Sequence, residues 1–106
     1  MKISSVLTTV LSIMLSLPFT ASANDKGVVL VTGANRGLGL EFVQQLQAKG
    51  YEVIGTARSP QKAVELEATG ARVEQLDVAD AASVAALAER LVDTPIDILI
   101  NNAGIG

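Results

Sequence analysis

Residues 28–39 read VVLVTGANRGLG, and this stretch decides the fold. Its first four residues form a continuous apolar run rich in valine, which is typical of a strand buried on both faces of a parallel sheet. A glycine-rich loop follows the run, and a helix is predicted after it over about residues 38–49. The apolar face of that helix consists of Gly39, Phe42, Val43 and Leu46. A strand, a glycine loop and a helix in this order predict the first unit of an α/β fold.

The glycine loop has the chemistry of a pyrophosphate-binding site. Gly33 permits a tight turn out of the strand, Gly37 lets the backbone approach phosphate without an intervening Cβ, and Gly39 lets the helix pack closely on the sheet. Free N–H groups at the helix N-terminus attract an anion. A glycine turn without a ligand is the alternative, but the strand before the loop and the helix after it favour binding. The candidate binding residues here are Gly33, Asn35, Arg36, Gly37, Leu38 and Gly39.

Strands and helices continue to alternate along the chain. A second strand is predicted over residues 52–57, and a third over residues 72–76. Between them we expect a helix that Ser59 caps, that has Pro60 at its first position, and that ends at Gly70.

A third helix is predicted after the third strand, with Asp80 as its cap and Pro95 blocking its continuation. Its apolar face consists of Val84, Leu87, Ala88 and Leu91. A fourth strand is predicted over residues 96–100. This alternation predicts an α/β fold with a parallel sheet in the order 3-2-1-4, which is the first half of a doubly wound Rossmann fold.

Composition excludes several classes of function. The 106 residues are 49% hydrophobic and carry a formal net charge of -3, so no basic surface for nucleic acid is indicated. The sequence contains neither cysteine nor histidine. Disulfide bonds, metal sites built on those ligands, and catalysis by Cys/His or Ser/His/Asp groups are therefore not expected.

The first 23 residues have the pattern of a secretory signal peptide. Lys2 supplies a positive start, residues 6–19 are mainly apolar, and residues 21–23 (ASA) offer the small side chains of a cleavage site. An uncleaved anchor is the alternative, but the apolar run is shorter than the ~20 residues that a spanning helix needs. We therefore expect a signal peptide at 1–23, no stable membrane span after cleavage, and export to the periplasm or the exterior rather than a cytoplasmic location.

Three motifs together resemble the short-chain dehydrogenase/reductase family. The glycine loop is spaced as Thr-Gly-x-x-x-Gly-x-Gly, residues 76–78 (LDV) end the third strand, and residues 101–104 (NNAG) follow the fourth. The resemblance covers residues 26–106. It identifies residues 24–106 as an incomplete Rossmann NAD(P)-binding domain, and GANRGLG together with residues 56–58 (TAR) is similar to carbonyl-reductase-like members.

The resemblance implies roles for matching residues. Asp77 would accept a hydrogen bond from the adenine amino group, and the Val78 backbone would face the ring. The adenosine ribose would be lined by Asn102, Ala103 and Gly104. The Thr32 hydroxyl would tie the first strand to the NNAG turn. The alternative for Asp77 is a helix-entry residue, and the Asn101 side chain would brace the sheet.

The end of the second strand indicates the choice of cofactor. An NAD site places a carboxylate there to bind the ribose hydroxyls, but no Asp or Glu occurs between Glu52 and Glu65. Arg58 occupies this position, and its guanidinium suits a 2′-phosphate, with Arg36 as a second cation. Both could instead be ordinary solvated arginines. The pattern favours NADP as the cofactor, with NAD the less favoured nicotinamide dinucleotide.

The resemblance also implies catalysis by a Ser and a Tyr-x-x-x-Lys pair that lie beyond the NNAG turn in this family. The sequence ends at Gly106, and its one tyrosine, Tyr51, lies before the second strand. We therefore expect no catalytic residue within this chain, which would be a truncated part of a reductase. A full-length parent would take a small carbonyl or alcohol substrate and could be a homo-oligomer. The alternatives are an exported fragment that binds a nucleotide or a protein without chemistry, and a truncated product without function.

Overall fold

The computed structural model describes residues 26–104. The predicted signal peptide therefore lies outside the described residues. The elements in chain order are β1 (Val28–Val31), α1 (Gly37–Ala48), β2 (Glu52–Ala57), a 3-10 turn (Pro60–Lys62), α2 (Val64–Ala68), β3 (Arg72–Gln75), α3 (Ala81–Arg90) and β4 (Ile98–Ile100).

The four strands form one parallel sheet in the order β3-β2-β1-β4, as the sequence predicts. In the centre of the sheet, Leu30 of β1 pairs with Ile54 of β2 on one side and with Leu99 of β4 on the other. Because β1 has a neighbour on each side and helices on each face, all four of its residues are buried. The continuous apolar run is explained by this double burial.

Two apolar clusters pack on the two faces of the sheet. The face covered by α1 and α2 contains Val29, Val31, Ala34, Leu40, Val43, Val53, Ala57, Ala63 and Leu66. The face covered by α3 contains Val28, Leu30, Ile54, Leu76, Leu87 and Leu91. Successive residues of β1 alternate between the two clusters, as the pleat of a strand requires. The sheet therefore holds helices from both sides, which is the layered arrangement of an α/β fold.

Helix α1 begins one residue earlier than predicted and ends at Ala48, and Gly50 just beyond it has a φ of 99°, the left-handed conformation that often follows a helix C-terminus. Its predicted face needs one addition. Gly39 and Val43 are buried and Phe42 and Leu46 are partly buried, but Leu40 is also buried in the core.

The predicted capping role of Ser59 is wrong. A 3-10 turn with Pro60 at its start follows Ser59, no side-chain hydrogen bond caps it, and helix α2 starts only at Val64. Ala63 separates the two with a φ of -88° and a ψ of 61°, which is outside the helical region. Ala63 and Leu66 are both buried, so core packing sets this boundary more strongly than the local preference of serine.

The predicted cap of α3 is confirmed, because the Asp80 side chain accepts a hydrogen bond from the Ala82 N–H at 3.0 Å. The predicted apolar face is only half right. Ser83 and Leu87 are the buried residues within the helix, followed by Leu91 just after it, whereas Val84 is 46% exposed and Ala88 is exposed. The helix is buried along a single stripe of residues four apart, which is narrower than the face that the sequence predicts.

Strand β4 is shorter than predicted, because the Asp97 carboxylate accepts a hydrogen bond from β1 at the point where backbone pairing between the two strands would begin. The Asp97 carboxylate accepts the Val28 N–H at 2.8 Å, and the Asp97 N–H donates to the Val28 carbonyl at 2.9 Å. Among the described strands, β4 lies at the edge of the sheet, as the predicted order 3-2-1-4 requires, and Ile98 is 40% and Leu99 59% exposed. Within residues 26–104, no helix has the length and apolar character needed to cross a membrane.

Candidate functional site

The loop between β1 and α1 is shaped by glycines in left-handed conformations. Gly33 has a φ of 61° and Gly37 a φ of 56°, which side chains rarely adopt. A Cβ at Gly33 would lie 2.9 Å from the Ala103 Cα. A Cβ at Gly39 would collide with the Gly33 carbonyl oxygen and lie 2.7 Å from the Asn102 Nδ2. The glycine loop is therefore pressed against the NNAG turn, which brings two of the sequence motifs into direct contact.

Side-chain hydrogen bonds lock the same two segments together. The Thr32 hydroxyl donates to the Asn101 Oδ1 at 3.0 Å and accepts from the Ala103 N–H at 3.0 Å. The Asn102 side chain donates to the Gly33 carbonyl at 3.0 Å. The predicted tie between Thr32 and the NNAG turn is confirmed, and Asn101 takes part in it as a structural residue.

Strand β2 holds the loop from the other side through Thr56. The Gly33 N–H donates to the Thr56 hydroxyl at 3.3 Å, and the Ala34 N–H donates to the Thr56 carbonyl at 2.8 Å. Thr56 is fully buried, and the sequence gives no sign of this role because threonine is an ordinary strand residue. The loop is thus held by the strands on both sides of β1.

These segments enclose an open cleft of about 1030 Å³ at the carboxyl ends of the strands. It is lined by Gly33, Asn35, Arg36, Gly37, Leu38, Ala57, Arg58, Ser59, Lys62, Asp77, Val78, Ala79, Asn102, Ala103 and Gly104. The structure thus brings together every candidate residue except Gly39, which is buried behind the loop. In open α/β sheets, ligands bind in this crevice, where the connections leave the sheet in opposite directions.

The charged residues that line the cleft are mostly cationic. Three of them are positively charged, Arg36, Arg58 and Lys62, and Asp77 is the one carboxylate among them. Lys62 was missed by sequence reasoning, although it follows Arg58 by four residues and the 3-10 turn returns it to the cleft. This composition favours an anionic ligand.

Asp77 closes a local turn at the wall of the cleft. Its Oδ1 accepts the Ala79 N–H at 3.0 Å, and its own N–H donates to the Ser83 Oγ at 2.9 Å. The helix cap is Asp80, so the structure does not support the alternative that Asp77 is a helix-entry residue. The half-buried carboxylate of Asp77 is held in a fixed place on the lining of the cleft.

The two longer helices differ at their N-termini. Helix α3 is capped by a carboxylate, whereas the capping position of α1 is Arg36, which makes no side-chain cap hydrogen bond. The first turn of α1 also contains no acidic residue. The first N–H groups of a helix have no partner within it, so the N-terminus of α1 presents donors and a partial positive charge to the cleft.

Among the described residues, neither a metal-binding cluster nor a tyrosine lies at this cleft. Residues 26–104 contain no group of three or more acidic, His or Cys side chains that could hold a metal ion. Tyr51 precedes β2, at the opposite end of the sheet from the cleft, and packs against the apolar core with the Lys26 Nζ 6.0 Å from its ring centroid. Within the described residues, the arrangement is therefore suited to binding.

Comparison with known proteins identifies the class. The model of the short chain dehydrogenase family matches residues 27–106, so the chain belongs to that family. The chain is 43% identical over 90 residues to (+)-neomenthol dehydrogenase from Arabidopsis thaliana, covering 73% of this chain and 30% of that protein. It is 41% identical over 83 residues to 3-oxoacyl-(acyl-carrier-protein) reductase FabG from Escherichia coli, covering 74% of this chain and 34% of that protein. The chain spans about a third of the length of these relatives.

Solved structures agree with this assignment. Menthone neomenthol reductase from Mentha piperita superposes with a TM-score of 0.67 at 39% identity, over 76% of this chain and 32% of that one. A short-chain dehydrogenase/reductase from Burkholderia multivorans with bound NADP superposes with a TM-score of 0.68 at 35% identity, over 73% of this chain and 36% of that one. The chain therefore has the Rossmann-like fold of the short-chain dehydrogenase/reductase family, which binds nicotinamide cofactors.

Proposed function

We propose that this chain is the NADP-binding part of a short-chain oxidoreductase that transfers hydride between NADP and a small carbonyl or alcohol substrate. The observation that carries the proposal is the cleft at the carboxyl ends of the strands. Its lining contains three cationic side chains, Arg36, Arg58 and Lys62, and one carboxylate, Asp77. When bound, the cofactor would supply the hydride chemistry, and the residues of this chain would hold and orient it.

The pyrophosphate would bind at the N-terminus of α1. This helix lacks a side-chain cap, and an ideal Cβ at Gly37 has open space around it, with no heavy atom within 4 Å. An anion can therefore approach the backbone N–H groups closely, which is the geometry that suits a phosphate. Gly39 would act indirectly, by allowing the loop to lie against Asn102.

The adenosine would bind along the ends of β3 and β4. Asp77 would accept a hydrogen bond from the adenine amino group, with the exposed Val78 beside the ring. The ribose would lie against the NNAG turn, which hydrogen bonds hold to Thr32 and Gly33. The fixed position of this turn means that little conformational freedom would be lost on binding.

The 2′-phosphate would bind beside β2. No carboxylate follows this strand, so the ribose hydroxyls of NAD would lack their usual acceptor. Arg58 and Lys62 would offer the 2′-phosphate two cations from one side of the cleft, and Arg36 a third from the glycine loop. Charge-assisted hydrogen bonds to phosphate contribute roughly 1.5–3 kcal/mol, which corresponds to about ten- to a hundredfold in affinity.

Titration calorimetry with the full chain tests this proposal. The dissociation constants of NADP and NAD are measured at one fixed salt concentration, because screening weakens contacts between charges. We expect NADP to bind at least tenfold more tightly, by the estimate of one charge-assisted contact. Equal affinities, or tighter binding of NAD, would contradict the assignment of Arg36, Arg58 and Lys62 to the 2′-phosphate.

We also propose that the protein is exported and that cleavage follows Ala23. The proposal rests on the signal-like order of charge, apolar run and small residues in the sequence. Mass spectrometry of the exported protein should find Asn24 at its N-terminus. Recovery of the uncleaved chain, beginning at Met1, from the membrane fraction would contradict this proposal.

A further inference from the structure

Two side chains outside the cleft connect two of its walls. The Gln75 Nε2 donates to the Arg58 carbonyl oxygen at 3.3 Å, and the Gln75 Oε1 accepts from the Ser83 hydroxyl at 3.1 Å. The Ser83 Oγ in turn accepts the Asp77 N–H at 2.9 Å. We call these three contacts the Gln75–Ser83 bridge. Arg58 and Asp77 line the cleft, whereas Gln75 and Ser83 are not among its lining residues.

The bridge begins where the backbone ladder of the sheet ends. The last pair between β2 and β3 is Ala57 with Gln75, followed by one hydrogen bond from the Leu76 N–H to the Ala57 carbonyl at 3.0 Å. Beyond this point the chain leaves the sheet, and the bridge contacts fix the backbone at Arg58 and Asp77. Ser83 is only 8% exposed, so its two hydrogen bonds are shielded from competing water.

We propose that Gln75 and Ser83 are positioning residues for the adenosine end of the cofactor, an inference that rests on the NADP-binding function proposed above. Gln75 fixes the backbone from which the Arg58 side chain starts, and that side chain would meet the 2′-phosphate. Ser83 fixes the backbone of Asp77, whose carboxylate would meet adenine. Through Ser83, helix α3 thereby orients residues of a binding site that Ser83 itself does not line.

The test uses the full chain and two adenosine nucleotides, 5′-AMP and adenosine 2′,5′-bisphosphate, which differ by the 2′-phosphate. Gln75→Met keeps the length of the side chain but loses its contacts with Arg58 and Ser83, whereas the Ser83 Oγ can still accept the Asp77 N–H. We expect it to weaken the bisphosphate about fivefold, the value of one hydrogen bond, and to leave 5′-AMP nearly unchanged.

Ser83→Ala removes the hydroxyl that both Asp77 and Gln75 use. We expect it to weaken both nucleotides about fivefold, since each loses an oriented partner. Alanine is the strongest helix former, so the substitution leaves the propensity of α3 intact. Ser83→Thr keeps the hydroxyl and should retain most of the affinity for both nucleotides.

Leu87→Val is the matched control for stability. Leu87 is buried one turn after Ser83 in the same helix, and its apolar side chain takes no part in the hydrogen bonds of the bridge. This variant should lower the melting temperature and leave both affinities at the wild-type value when they are measured well below that temperature. If Ser83→Ala and Gln75→Met also melt lower but bind like the wild type, the two residues only stabilise the fold and the positioning role is wrong. If the wild type binds neither nucleotide, the proposed function itself fails, and the positioning role falls with it.

Discussion

Arg58 decides the proposed cofactor preference at the scale of single residues. It follows β2 directly, lines the cleft, and has no carboxylate near it in the sequence. Arg58→Asp should lower the ratio of NADP to NAD affinity by about ten- to a hundredfold, because a phosphate-binding cation is lost and a carboxylate that repels phosphate takes its place. Calorimetry with both cofactors measures the ratio.

The matched control for Arg58→Asp is Lys49→Asp, which makes the same change in net charge. Lys49 is exposed at the C-terminal end of α1, and the cleft lies at the other end of that helix. The control should leave the ratio unchanged. An unchanged ratio in Arg58→Asp itself would show that Arg58 does not contact the 2′-phosphate.

Gly37 and Gly39 both lie in the first turn of α1, but substitution should affect them differently. A Cβ at Gly37 meets no other atom, so Gly37→Ala should fold with about 1–2 kcal/mol of left-handed strain and weaken NADP and NAD equally. A Cβ at Gly39 collides with the Gly33 carbonyl, so Gly39→Ala should lower the melting temperature by more. Thermal melting and calorimetry on both variants check this contrast. A Gly37→Ala variant that binds both cofactors normally would place the pyrophosphate elsewhere.

At the scale of elements, Glu74 joins β3 to α3. Its carboxylate lies 2.8 Å from the Arg72 Nε and 2.7 Å from the Arg90 Nε, and its side chain is 13% exposed. Partial burial raises the pKa of Glu74, but hydrogen bonds from Arg90 and Arg72, with their charges, outweigh burial and hold the pKa below its ordinary value. Arg90 also donates to the Gln75 carbonyl at 2.8 Å, so this ion pair supports the end of β3 from which the Gln75–Ser83 bridge extends.

Glu74→Gln should therefore destabilise the protein by about 1 kcal/mol at neutral pH, a modest value because both arginines are well exposed. A carboxyl with a lowered pKa contributes stability above the unfolded-state value, 4.5 here, and loses it as the pH falls through the folded-state pKa. The difference between wild type and variant should be constant above about pH 5.5 and shrink in acid. Urea unfolding at several pH values measures it, with the exposed Glu89→Gln as control. A difference that does not depend on pH would contradict the ion-pair explanation.

The sequence predicts elements well where one strong local signal decides them. The valine run and the glycine loop act through their own backbone preferences and Asp80 through its side-chain cap, and the structure confirms β1, the left-handed turns and the α3 cap. The failures at Ser59 and Val84 have another cause, because tertiary packing decides there which residue is buried. The same limit applies to the site. Motifs indicate the residues that meet the ligand, but Thr56 and Lys62 were missed because their positions depend on how distant segments pack.

At the scale of the whole molecule, segments that are far apart in the sequence meet at one site. The glycine loop, the ends of β2 and β3, and the NNAG turn converge on one cleft, and the described residues there supply backbone donors, cations and one carboxylate. These 106 residues contain no Tyr-x-x-x-Lys pair, since Gly55 lies four residues after the one tyrosine, Tyr51. Tyr51 cannot substitute, since the length of β2, about 20 Å at 3.3 Å per residue, separates it from the cleft.

We therefore expect the 106-residue chain alone to bind NADPH without oxidising it in the presence of carbonyl compounds, because the described residues that line the cleft include no tyrosine, the residue that donates the proton to the carbonyl oxygen in this family. Loss of absorbance of NADPH measures oxidation, and calorimetry on the same sample shows that the cofactor is bound. Gly37→Ala, purified in the same way, reports any contaminating reductase, since a contaminant would be equally active in both preparations. Turnover that rises with the concentration of the chain and is lost in Gly37→Ala would overturn the prediction. It would mean that the cleft contains a proton donor other than a tyrosine, and the cationic Lys62 would be the first side chain to test.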